Sequence, residues 1–389
     1  MDKENRTFLS LFTPGPVDIS DEARDGLQAP LVHHRSDLFE EILTGLINNL
    51  KNVLQTEDDV AVLTSSGTGA MEAVVTNLLS PGDEVLVPVA GKFSGRWAEI
   101  CAACGVEIRR MDLEPGECPA PGQVVDALRR NTGITTVFLT HCETSTGSLT
   151  DVRAVAEAVC DLERSEGREI LTCVDCTSSL CVDELRKDDW RIDCAIGASQ
   201  KGLLAPPGLA FVCMNDRALG RMAVSTLPKY YFDLRKYYDG HSAAPFTPAV
   251  SLVCAAKASL DRIISLGLER VWKACRSSAT AVTIIMETAG LRPVAAQRSN
   301  AVRAFWMEDL NPEEVSGILR NRHGIVVAGG QLDLKGKILR VSAIGKTRSE
   351  VLDFAKAFEA TMAEVGRPFT LGDIADELDA VLEESSIWE

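Results

Sequence analysis

Aromatic side chains make up only 5% of the 389 residues, and there are just five histidines. No apolar run approaches the ~18 residues of a membrane helix, so no membrane partner is expected. Positive charge is in deficit: 40 Lys plus Arg face 56 Asp plus Glu, a formal charge of −16, so the basic footprint of a nucleic-acid-binding protein is missing. Repeats and low-complexity tracts are missing too. With 46% hydrophobic and 25% charged residues, the composition excludes disordered and fibrous classes and supplies enough apolar material for two cores. At the start, Asp2, Lys3 and Glu4 precede only a short apolar stretch at 8–12, which is no secretory pattern; a cytoplasmic location is expected.

Twelve cysteines in so long a chain do not form the dense framework of a small secreted domain and read as reduced thiols. Two C-x-x-C pairs, Cys101 with Cys104 and Cys173 with Cys176, carry the spacing of half a zinc site or a redox pair. Their surroundings favour a second reading, as small core hydrophobes. Trp97, Ile100, Cys101 and Cys104 make the stripe of a buried helix, while Cys173 and Cys176 flank a strand end. His33, His34, His141, His241 and His323 add no ligand spacing, and no metal is expected.

From Val60 onward, β-rich runs at 60–64, 84–87, 106–111, 135–140, 169–174 and 195–197 alternate with helical patterns such as Val152, Val155, Ala156, Val159 and Cys160. Turns such as Ser80-Pro81-Gly82-Asp83 punctuate them. This alternation predicts an α/β fold with a largely parallel sheet, whose ligands sit beyond the carboxyl ends of its strands. After about Pro248, a long helical stretch over 251–290 leads to short strands near 301–307, 324–328 and 338–342, which predicts a smaller α+β domain. In the acidic tail, Ile374, Leu378, Val381 and Leu382 share one helix face, so a docked terminal helix is expected over 373–389. Tyr230, Tyr231, Tyr237 and Tyr238 fall in one window with Phe232; a subunit interface, a substrate-facing loop and a packed aromatic patch are all open.

Three segments carry chemistry. Ser65-Ser66-Gly67-Thr68-Gly69-Ala70 follows the strand 60–64 and opens an apolar-periodic helix, which makes an anion cradle of backbone N–H groups, helix dipole and the Thr68 hydroxyl. It matches neither the lysine-bearing phosphate loop nor G-x-G-x-x-G, so nucleotide binding is not supported. Asp175 ends another strand, either as a turn cap or as an acid at the sheet edge. Lys201, in Ser199-Gln200-Lys201-Gly202, lies just past a buried strand and ahead of Pro206-Pro207-Gly208. Apolar surroundings disfavour an ammonium ion and leave a neutral amine able to form a Schiff base.

Cradle, carboxylate and lysine in this order resemble the fold type I pyridoxal-phosphate enzymes. Further motifs resemble the class V aminotransferases, in the alanine:glyoxylate and serine:glyoxylate (serine:pyruvate) branch: Thr13-Pro14-Gly15-Pro16, His34-Arg35-Ser36 with Phe39, Gly91 with Phe93 and Arg96, His141-Cys142-Glu143-Thr144-Ser145-Thr146-Gly147, and Leu339-Arg340-Val341-Ser342. The resemblance spans nearly the whole chain. It implies a large domain with a mostly parallel seven-stranded sheet and a smaller C-terminal α+β domain. The expected division is an arm at 1–20, the large pyridoxal-phosphate-binding domain at 21–255 and the small domain at 256–389.

The resemblance also implies roles. Lys201 would hold the aldehyde of pyridoxal 5′-phosphate as a Schiff base and then act as general base and acid, with Asp175 paired to the pyridine nitrogen. Phe93 and Thr177 would lie on the two ring faces, and Thr144 near the ring hydroxyl. Gly67, Thr68 and Gly69 would bind phosphate, Gln200 would border it, and Thr247 would reach the phosphate of a neighbouring subunit in a homodimer with shared sites. Gly15 would sit near the substrate and Arg340 would grip its α-carboxylate. Where the family often continues Ile-Gly-His, this chain reads Val341-Ser342-Ala343-Ile344-Gly345, a different pocket wall.

The expected reaction moves an amino group from a small 2-amino acid (alanine, serine or aspartate-like) to glyoxylate or pyruvate. Two alternatives stand beside it: other class V chemistry (phosphonate transaminase, lyase or hydrolase) and a non-catalytic subunit that keeps the fold. A desulfurase needs a thiol in the later part of the chain, and the last cysteine is Cys275, which argues against persulfide chemistry.

Overall fold

The computed structural model describes residues 9–238 and 244–388; Asp2, Lys3, Glu4 and His241 lie outside them. Seven strands build the central sheet: β1 (Val60–Thr64), β2 (Glu84–Val89), β3 (Glu107–Asp112), β4 (Ile134–Thr140), β5 (Leu171–Asp175), β6 (Cys194–Ala198) and β7 (Leu209–Met214). Their order across the sheet is β1-β7-β6-β5-β4-β2-β3. Only β7 runs antiparallel, against β1 on one side and β6 on the other. The other six therefore end on one edge, where the loops that follow them converge.

Register decides two details that periodicity left open. The strand expected at 169–174 shifts to end on Asp175, because Asp175 pairs with Thr140 on one side and Ile196 on the other. β2 runs on to Val89 through Pro88, which pairs only with Met111 of β3; the ladder to β4 stops at Leu86, so no bond on that side calls for the missing N–H.

Side chains alternate between two packed faces. Val137 and Leu139 join the core that holds Leu46, Leu50 and Val155, while Phe138 between them joins Val74, Leu78 and Trp97 on the other side. Trp97 and Phe138 stack at 4.4 Å between centroids. Cys173 belongs to the second face and Cys176 to the first, so this C-x-x-C pair points to opposite sides of the sheet. All twelve cysteines are free.

The long helical stretch is two helices, Val250–Leu266 and Leu268–Thr288. Gly267 separates them with φ +87°, a conformation that ends an α-helix and that glycine adopts readily. The first of the pair packs on Asp21–Gln28 and Asp37–Leu54. Beyond it, Arg292–Pro293, Arg303–Trp306, Ile338–Val341 and Ala328–Gly329 form a four-stranded antiparallel sheet in that spatial order. The strand expected near 324–328 divides: Ala328–Gly329 joins this sheet, whereas Ile325–Val326 pairs in parallel with Ser10–Leu11 near the start of the chain. The tail helix is shorter than expected, Ala375–Leu382 flanked by 3-10 turns, with Leu378 and Leu382 buried against the core of this second sheet. Among the described residues, no helix is long and apolar enough to cross a membrane.

Trp97→Ala should destabilise the protein by about 3–5 kcal/mol in urea unfolding, the usual cost of truncating a fully buried aromatic. A change below about 1 kcal/mol would contradict the packing at this face.

Candidate active site

The helix Gly67–Leu78 starts directly after β1, and its cap residue Ser66 makes no side-chain bond to the first turn. Its leading N–H groups are thus left for another acceptor. Close packing explains the glycines: a Cβ on Gly69 would lie 2.0 Å from Ser65 Oγ, and one on Gly67 would lie 2.9 Å from Thr177 Oγ1. That second contact brings the loop after β1 against the loop after β5.

Asp175 is 7% exposed and its Oδ1 accepts the Thr177 N–H at 2.8 Å. The turn-cap reading is therefore realised, and the carboxylate is also buried at the sheet edge. Desolvation raises its pKa above the usual carboxylate range, against the pull of the Thr177 bonds; Glu143 adds to the rise and Lys201 opposes it. Lys201 follows β6 and is 8% exposed. Burial brings its pKa down to about 8; Cys142 and Asp175 work against this and Arg340 with it. Its Nζ donates to the Pro14 carbonyl. Gly15 lies against the same side chain with φ +129°, and a Cβ there would come 2.4 Å from Lys201 Cε. Among the described residues, the Gln200 side-chain oxygen is buried without a partner.

A hairpin of Cys142–Glu143 and Ser148–Leu149 follows β4 and supplies a residue to which the sequence assigned no role. Glu143, 2% exposed, accepts Phe93 N–H (3.0 Å), Ser94 N–H (2.8 Å) and Ser94 Oγ–H (2.8 Å) at Oε2, and Ser145 N–H (3.1 Å) and Oγ–H (2.6 Å) at Oε1. One carboxylate thus clamps the start of helix Lys92–Ala103, which carries Phe93, to the hairpin that carries Thr144. Its negative charge is well placed at a helix N-terminus. The cue was available in the motif: an acid three residues past a strand, at the carboxyl edge of a parallel sheet.

Arg340 lies in Ile338–Val341, opposite Ala304 and Ala328, whose small side chains leave it room. It is 4% exposed; Nε donates to Gly329 O at 2.9 Å and Nη1 to Thr144 O at 2.7 Å. Burial draws its pKa down to about 10, with Glu143 opposing. It forms no ion pair with any described residue, so a buried guanidinium has donor capacity to spare for a carboxylate. The structure brings Gly15, Gly67, Thr68, Gly69, Phe93, Thr144, Asp175, Thr177, Gln200, Lys201 and Arg340 to this edge through contacts or adjacent loops. Thr247 is exposed and forms no hydrogen bond to any of them. The tyrosines divide: Tyr237 and Tyr238 pack on the core, whereas Tyr230 is 74% exposed beside Phe246.

A mostly parallel sheet with a buried lysine, a carboxylate and an anion cradle on its carboxyl edge is the arrangement of an α/β transferase. Residues 23–344 match the family model described as aminotransferase class-V. The L-aspartate–glyoxylate aminotransferase of Paracoccus denitrificans is 32% identical, over 93% of each chain. A soluble hydrogenase small subunit from a Synechococcus strain is 34% identical, over 92% of this chain and 93% of its own. Among solved structures, the subgroup IV aspartate aminotransferase of Thermus thermophilus is 37% identical with TM-score 0.85, over 91% of this chain and 99% of its own. The chain belongs to the class V aminotransferase family, whose enzymes use pyridoxal phosphate.

The residues here suit that cofactor: uncapped N–H groups for a phosphate, a buried carboxylate for a cationic ring nitrogen, and an amine depressed toward neutrality for an aldehyde.

Three outcomes are expected. In the apoprotein, the rate of pyridoxal addition should rise with pH about a midpoint near 8, whereas an undepressed amine would show the ordinary 10.5. Because the folded pKa lies below the unfolded one, this group's contribution to stability is complete above pH 10.5 and lost as pH falls to about 8. Glu143→Gln would face an amide N–H against donors, and should cost about 2–4 kcal/mol in urea unfolding of the apoprotein. Unchanged stability would show that the clamp carries no weight.

Proposed function

We propose that this protein is a pyridoxal-phosphate-dependent aminotransferase moving an amino group from a small 2-amino acid to glyoxylate or pyruvate. The observation that carries the reading is Lys201: a buried amine without a carboxylate in ion-pair contact among the described residues, on the same sheet edge as Asp175. Pyridoxal phosphate, when bound, supplies an aldehyde for amines and a ring that accepts the electron pair left at the substrate Cα. Lys201 would hold that aldehyde; once displaced by the incoming amino group, its free amine would move the proton from Cα. Asp175 would keep the ring nitrogen protonated by accepting its N–H. Gly67, Thr68, Gly69 and Gln200 would hold the phosphate end, Phe93 and Thr177 the ring faces, and Thr144 the ring hydroxyl. Arg340 would bind the α-carboxylate through donors that its two carbonyl partners leave over. Gly15, against Lys201, would border the substrate and help keep water out.

The chemistry named for the relatives supports the substrate class: aspartate and glyoxylate for the Paracoccus protein and aspartate for the Thermus protein. A homodimer with shared sites belongs to the same proposal, supported by exposed Thr247, by exposed Leu31 and Leu38, and by the Tyr231–Phe246 stack at 5.0 Å, whose Phe246 adjoins Thr247 in the chain. Twelve free thiols support a reducing, cytoplasmic setting. We also keep the division at 1–20, 21–255 and 256–389, with its second junction inside the helix Val250–Leu266. The name of the Synechococcus relative favours a second reading, in which the chain serves as a subunit of a larger assembly.

The test is the visible spectrum of the purified protein with pyridoxal phosphate, before and after single amino acids from a panel without keto acid. The expected result is a chromophore that one donor discharges, and its absence in Lys201→Ala. A wild-type protein that stays colourless, or a Lys201→Ala variant with full activity, would overturn the enzyme reading and leave the subunit reading.

A further inference from the structure

The proposed cofactor carries a phosphate with close to two negative charges, and the residues assigned to it so far are neutral. A helix N-terminus offers the equivalent of only about half a positive charge. Lys201 is directed to the Pro14 carbonyl, and Arg340 is held by Gly329 and Thr144. None of the side chains assigned so far therefore brings a cation of full positive charge to the cradle.

We propose that Arg96 is that cation, a phosphate-binding residue that acts both by its own charge and by orienting the hydroxyl of Thr68. The proposal rests on the reading of the site given under Proposed function. Arg96 lies one turn beyond Phe93 on the helix Lys92–Ala103, so the two side chains share a face. Its Nη1 donates to Thr68 Oγ1 at 3.0 Å, and its Cζ lies 5.0 Å from the Phe93 ring centroid. The side chain is half-buried, and among the described residues it has no ion pair and no second hydrogen bond. Four of its five N–H donors are therefore left over.

The bond to Thr68 has a direction. By donating into Oγ1, the guanidinium leaves the hydroxyl proton to be given elsewhere, and among the described residues it reaches no protein acceptor. Thr68 is the second residue of the helix whose first turn is uncapped, so this O–H and the neighbouring N–H groups serve one acceptor. The Phe93 face steadies the guanidinium by cation–π attraction and keeps its plane from swinging into solvent. One side chain thus ties the phosphate end of the cradle to the residue assigned to the ring face. The consequence is selectivity for the phosphorylated cofactor over its unphosphorylated form.

The experiment titrates apoprotein, wild type and Arg96→Gln, with pyridoxal 5′-phosphate and separately with pyridoxal, and repeats the first titration with inorganic phosphate as competitor. Arg96→Gln should weaken pyridoxal phosphate binding roughly ten- to hundredfold, the range of a charge-assisted bond, while pyridoxal binding changes less than about threefold. Phosphate should compete about tenfold less well. Thr68→Val combined with Arg96→Gln should lose less than the product of the two single losses, because both act on one contact. Equal losses for both ligands, or no loss for either, overturn the proposal. Should Arg96→Gln fail to fold, Arg96→Met removes the charge with a side chain of similar length, and an unchanged ratio of the two affinities overturns the proposal equally. Failure of the underlying reading looks different: wild-type protein then binds neither compound.

Discussion

A primary amine kept out of water without a carboxylate of its own is the constraint on which the rest of this structure depends. In water Lys201 would stay protonated far above neutral pH, and as a surface ion pair it would stay more so. Burial brings it down to about 8, and burial at the end of β6 needs neighbouring loops to close over it. Gly15 can approach only because it lacks a Cβ, and the Pro14 carbonyl accepts the amine without adding charge. Asp175 and Cys142 pull the other way from nearby, so the amine is poised instead of being neutral outright.

The charges around it are laid out with economy. Glu143 saturates its oxygens with donors from two loops, so a buried carboxylate becomes a structural rivet, and its field still reaches Asp175 and Arg340. It favours the charged form of Arg340 and disfavours that of Asp175, the two groups proposed to meet opposite ends of a substrate–cofactor pair. Buried charge of this kind is tolerated only where hydrogen bonds replace water, and Glu143 accepts five such bonds within 3.1 Å.

Much of this was legible in the sequence, for physical reasons. Strand positions followed from apolar runs between turn residues, and β1 ends at Thr64 as periodicity predicts. The convergence of the loops followed from parallel strand grammar alone. Ladder register was not legible, because it depends on partners far away in the chain: that Asp175 pairs with Thr140 on one side and Ile196 on the other cannot be read from the run it ends. Gly267 was visible as a glycine, but only its positive φ divides one predicted helix into two. Glu143 and Arg96 stood inside quoted motifs without a role, since a role required knowing which loop each one reaches across to. Thr247 is exposed between half-buried neighbours, and the partner expected for it lies on another subunit.

The two covers of the site are mechanically one piece. The segment that carries Pro14 and Gly15 over Lys201 begins as the strand Ser10–Leu11, paired with Ile325–Val326, and Ser342 N–H donates to Phe12 O. Fully buried Lys346 adds a second tie: its Nζ donates to Ser10 Oγ (2.7 Å), Asp18 (2.6 Å) and Glu350 (2.8 Å), joining the arm to the helix Arg348–Glu364. Arg340 lies in the neighbouring four-stranded sheet, two residues before Ser342, so the segment that carries it is hydrogen-bonded directly to the arm. The positions of Arg340 and of the Pro14–Gly15 segment are therefore set by one connected run of backbone hydrogen bonds.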